Sequence, residues 1–125
     1  MQTSNFISFT EKEEKMTDIF IGLGLKRNVA RVLVYLSSMD EAASRMIERG
    51  TDLRQPEVSI AIRELRKLAW VVSRESKADS KGRPVKIYHL ALPIGAIMDT
   101  IEGQKKKQAK DQLDMIEELR QTIRA

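Results

Sequence analysis

The chain has 125 residues, of which 42% are hydrophobic and 32% charged, and a formal charge of +4. That length suits one domain with an appended helix, whose modest core would gain from pairing with a second chain. The absence of cysteine and the single histidine, His89, exclude disulfides, thiol nucleophiles and a multi-histidine metal site within one chain.

The first element begins at Thr10-Glu11-Lys12-Glu13, a capping-box pattern in which Thr10 caps the amide three residues on and Glu13 reaches back. Met16, Ile19, Phe20 and Leu23 follow at helical spacing, so the pattern predicts a helix over about residues 11–21 that ends at Gly22 and Gly24. A second helix is expected over Lys26–Ser38, with Val29, Val32, Leu33 and Leu36 on its inner face and Lys26, Arg27 and Arg31 on its outer face. Asp40 is a plausible cap for a third helix of about Glu41–Arg49, which should bury Ala43, Met46 and Ile47 and stop at Gly50.

Gln55 before Pro56 marks another helix start, because proline suits the first helical position. From there Val58, Ala61, Ile62, Leu65 and Leu68 form an apolar stripe, opposite Glu57, Ser59, Ile60, Arg63 and Lys67. Two strand-like runs come next, Trp70–Glu75 and Val85–Leu92, around a polar loop punctuated by Gly82 and Pro84. Trp70, following the stripe directly, is read as a plug between helix and sheet, and His89 as a strand surface residue. Pro93 opens a last helix with Ile94, Ile97, Met98 and Ile101 on one face, interrupted over Gly103–Lys107. The stripe resumes at Ala109, Leu113, Ile116 and Ile123. Gly103 leaves the continuity of this helix open.

Charge follows this division. Residues 1–21 carry two basic and four acidic side chains, residues 22–92 fourteen and eight, and residues 93–125 six of each. The excess of positive charge therefore lies in the middle segment, where a polyanion would have to dock unless the surface is simply solvated. Helix, turn, helix and basic hairpin in this order is how a small domain sets one helix in a DNA major groove with a loop beside it.

The middle segment resembles the DNA-binding domain of archaeal winged-helix regulators of the MarR/TrmB-like kind. The resemblance is carried by Gly24-Leu25, Ala30-Arg31-Val32 and Leu36, by Ala43-Ser44 and Ile47, by the run Gln55 to Leu65, and by Gly82-Arg83-Pro84 with Tyr88. Two departures stand out. Sugar-responsive TrmB regulators continue into a large effector domain where this chain ends at Ala125, and Ile60 stands where such proteins often carry a polar or basic residue.

The expected fold is thus mainly α with a small β-hairpin (α+β): a winged helix–turn–helix over 22–92, an N-terminal helix over 1–21 packing on the core or a dimer interface, and a C-terminal dimerisation helix over 93–125. The resemblance implies a recognition helix over about 55–68. Arg54, Gln55, Glu57, Ser59, Arg63 and Lys67 are its candidate contacts, with Gln55 suited to adenine, Arg63 to guanine or phosphate, and Glu57 to cytosine. A basic wing over 74–86 would offer Arg74, Lys77, Lys81 and Arg83 to the backbone or minor groove, unless it is only a solubilising loop. Ile94, Ile97, Ile101, Leu113 and Ile116 are the candidate dimerisation residues. The expected partners are double-stranded DNA and a second copy of the chain. No membrane, metal or cofactor is expected, and the sequence names no small-molecule effector. A start lacking a basic, apolar leader suggests the cytoplasm. The alternative is a winged helix serving as a protein-interaction module of transcription or replication machinery. An enzyme is disfavoured, because no catalytic residue set or glycine-rich phosphate loop is visible.

Overall fold

The computed structural model describes residues 9–76 and 84–125, and the chain divides at Leu92/Pro93 into two compact units. The first unit runs α1 (Glu11–Gly22), α2 (Arg27–Ser38), β1 (Ala42–Ala43), α3 (Ser44–Thr51), α4 (Gln55–Lys67), β2 (Val71–Ser76) and β3 (Val85–Leu90). The second is one helix, α5 (Ile94–Arg124).

Local sequence accounts for the helix ends. Thr10 Oγ1 accepts from the Glu13 amide at 3.1 Å and the Glu13 carboxylate accepts from the Thr10 amide at 2.9 Å, completing the box that starts α1. α3 stops with Asp52 in the left-handed region (φ 57), and α4 stops with Ala69 there (φ 64) while the Trp70 amide donates to the Leu65 carbonyl at 3.0 Å. That left-handed residue turns the chain so that Trp70, and not Leu68, enters the core. Leu68 is exposed instead of closing the stripe.

α2 is the central helix of the unit and touches α1, α3, α4 and β3. Val32, Leu33, Val34 and Leu36 of α2 are fully buried together with Ile47, Val58, Leu65 and Val71. Gly50 is required by this packing: a Cβ there would collide with the ring of Tyr35. Burial, and secondarily the charge of Glu13, pushes the Tyr35 phenol above its ordinary value.

Three local expectations change. The α1 seam runs through Thr17 and Phe20, leaving Ile19 exposed, because the Thr17 hydroxyl is satisfied inside the helix by the Glu13 carbonyl at 2.9 Å. Ala42 and Ala43 form a strand instead of the first turn of α3, so Ile47 and Thr51 face inward and Met46 outward. Arg31 is buried, at 7% exposure, instead of lining the outer face of α2. Its Nε donates to the Thr51 carbonyl at 3.0 Å, its Nη1 meets Glu14 at 3.2 Å, and its guanidinium lies 4.4 Å from the Phe9 ring centroid.

The hairpin is part of a three-stranded antiparallel sheet of order β1-β3-β2, with Ala42 opposite Tyr88, Ser73 opposite Tyr88 and Glu75 opposite Lys86. α5 is continuous through Gly103 as a 31-residue helix. Ladders such as Lys107–Asp111 and Lys110–Asp114 lace its solvated face at 3.0 and 2.9 Å. Among the described residues no helix is long and apolar enough to cross a membrane.

Candidate nucleic-acid interface

α4 is held by its inner face, where Val58, Ala61, Ile62 and Leu65 are buried. At 100° per residue, the ridge opposite that stripe consists of Pro56, Ile60, Arg63 and Lys67. Gln55, Ser59, Ile60, Arg63 and Lys67 are all exposed, so most of the expected contact residues share an open surface. Glu57 is half-buried and already occupied, its Oε1 accepting from the Arg54 amide at 2.8 Å. Its carboxylate thereby stabilises the helix start, a task that competes with accepting from a base. The arginine side chain at the cap has no acceptor to complete the box.

Beside the ridge lies an open cleft of about 450 Å³, lined by Ser59, Arg63, Arg66 and Lys67 of α4 and by Lys86 and Tyr88 of β3. The Arg66 guanidinium reaches the Ser73 hydroxyl of β2 at 3.4 Å, which fixes one cation across the floor between helix and sheet. Arg63, Lys67 and Lys86 form no ion pair among the described residues. Unpaired cations grouped around a cleft are what an incoming anion needs, since no internal partner must first be displaced.

Arg66, Lys86 and Tyr88 were not among the expected contacts. Their signal was too dispersed along the chain: only the antiparallel register of β2 and β3 puts Lys86 and Tyr88 on the face toward α4. Conversely, Arg74 is spoken for, with Nη2 2.7 and 2.8 Å from the two carboxylate oxygens of Glu41. Lys77, Lys81 and Arg83 lie outside the described residues. In α5, Ile97 and Ile101 are buried and Ile94 half-buried, whereas Leu113 and Ile116 are exposed. Among the described residues no group of His, Asp or Glu could hold a metal ion.

Residues 23–82 match the family model described as "MarR family". The chain has a winged-helix fold similar to that of MarR regulators. A possible transcriptional regulator from Methanosarcina mazei has a similar structure, with a TM-score of 0.67 at 16% identity over 80% of this chain and 83% of its own. A MarR family transcriptional regulator from Silicibacter pomeroyi aligns with a TM-score of 0.50 at 20% identity, over 80% of this chain and 65% of its own. YusO of Bacillus subtilis aligns with a TM-score of 0.50 at 16% identity, over 80% of this chain and 70% of its own. No curated protein matches the chain. At such identities the structural likeness is one of fold, and what this winged helix can bind has to be argued from its own α4 and cleft.

Proposed function

We propose that the protein is a non-enzymatic, sequence-specific transcription regulator that binds double-stranded DNA as a homodimer in the cytoplasm. The single observation that supports this best is the exposed α4 ridge bordered by Arg63, Lys67 and Lys86, which form no ion pair among the described residues. A helix of this kind enters the major groove, while the α4–β3 cleft and the basic wing of residues 74–86 take the flanking backbone. Gln55 and Arg63 supply base contacts, Ser59, Arg66, Lys67, Lys86 and Tyr88 hold phosphate, and Arg54 orients the first turn. Lys77, Lys81 and Arg83, outside the described residues, are the further wing candidates for backbone contact, joined by Arg74 once Glu41 releases it. The transcription regulators of similar fold and the MarR family match support the same reading. A TrmB-like, archaeal affinity rests on the Gln55 to Leu65 run and on the turn at Gly24-Leu25.

Dimerisation belongs to the distal part of α5, where Leu113, Ile116, Leu119 and Ile123 form one stripe at 47 to 75% exposure. Four large apolar side chains left in water along one helix face are stabilised by pairing with a second copy. Ile94, Ile97 and Ile101 are the proximal candidates for the same pairing; Ile94 is half-buried and Ile97 and Ile101 are buried.

Selection of bound duplexes from random DNA tests the reading. Gln55→Ala with Arg63→Ala should weaken the selected site by roughly tenfold or more, since a bidentate pair gives about 1–3 kcal/mol of discrimination, while weak binding to unrelated DNA persists. Undiminished affinity for the selected site would overturn the recognition surface. The protein-interaction alternative has the exposed Ile60 in its favour, and it would show as no duplex binding even at low salt.

A further inference from the structure

Ile60 is the one large apolar side chain of α4 left open, at 56% exposure. It is centred on the outer ridge, one turn after Pro56 and one turn before Arg63, so a helix lying in the major groove brings it to the floor and not to the rim. Its side chain borders a shallow groove of about 240 Å³ whose walls include Lys26, Arg27 and Val29 at the start of α2 and the carboxylates Glu57 and Glu64 of α4. The cations of the cleft stand on the other flank of the ridge. The occupant of this surface is therefore a polyanion that also offers one small apolar group at depth. The major-groove edge of a duplex has a single such group, the 5-methyl of thymine.

We propose that Ile60 reads a thymine methyl, next to the base pair reached by Arg63, and is a specificity-determining residue. The proposal rests on the DNA-binding reading above and names what that surface selects. A hydrophobic contact of this kind discriminates by one methyl group, roughly a fourfold effect in affinity. It explains how an isoleucine can stand on a reading surface among polar neighbours.

Duplexes selected by the full chain from random DNA provide the probe, with each thymine replaced in turn by deoxyuridine, which removes the methyl and keeps the pairing. Binding of the wild-type chain should fall roughly fourfold at one thymine position per half-site. Ile60→Ala, which removes the contact from both protomers, should bind the thymine duplex about as weakly as the wild type binds a duplex with uracil at that position in both half-sites, and should lose all response there. Thermal unfolding of Ile60→Ala checks that an exposed truncation leaves the fold intact. A selected site without thymine, indifference of the wild type to every replacement, or an equal response in wild type and Ile60→Ala overturns the assignment while leaving a DNA-binding regulator. Absence of any selected duplex at low salt overturns both, and a protein partner then becomes the occupant of Ile60.

Discussion

The buried guanidinium of Arg31 joins three parts of the first unit: Phe9 before α1, Glu14 within it, and the carbonyl of Thr51 at the end of α3. Thr51 is itself fully buried, its hydroxyl donating to the Ile47 carbonyl at 2.6 Å. The turn that follows, Asp52 to Arg54, sets where α4 begins, so Arg31 is a positioning residue for α4. Removing a charge-assisted hydrogen bond to a buried carbonyl costs about 2–3 kcal/mol. Arg31→Ala should lose that much in urea unfolding, with the slope m unchanged. Glu14→Ala should lose under about 1 kcal/mol, because its side chain is half exposed and solvent screens the pair. Equal losses would mean that the ion pair, and not the Thr51 carbonyl, is what Arg31 holds.

At the scale of elements, what could be read in advance is what is encoded locally. The Thr10/Glu13 box, the proline start of α4 and its stripe from Val58 to Leu65 each depend on residues within a turn or two of one another, and each stands in the structure. β1 could not be read that way, since two alanines become a strand only through pairing with Ile87 and Tyr88 far along the chain. For the same reason Arg31 looked like a surface cation, and Arg66, Lys86 and Tyr88 did not look like a group. The end of α4 was misplaced by one residue because Ala69 adopts a conformation that sequence pattern alone assigns to glycine. Ala69→Gly should therefore raise stability by about 1 kcal/mol in denaturant unfolding; a loss would mean that the methyl group packs usefully. In α5, Leu113→Glu with Ile116→Glu should convert a dimer to monomers in light scattering while helicity persists. A dimer of unchanged size would move the interface elsewhere in the chain.

For the whole molecule, positive charge, an open helix ridge and a cleft lined by cations all fall in the first unit, while the second is a single helix of balanced charge with a free apolar stripe. The central claim is that the α4–β3 cleft neutralises DNA phosphate. Each neutralised phosphate makes affinity fall more steeply with salt, by roughly one unit in the slope of log affinity against log salt. The measurement is therefore the salt dependence of duplex binding, by wild type and by Lys67→Gln with Lys86→Gln, two exposed cations without internal partners among the described residues. The expected result is a steep slope in the wild type that becomes shallower by about two units per protomer in the variant. An unchanged slope, or no binding of any duplex at low salt, would contradict the claim.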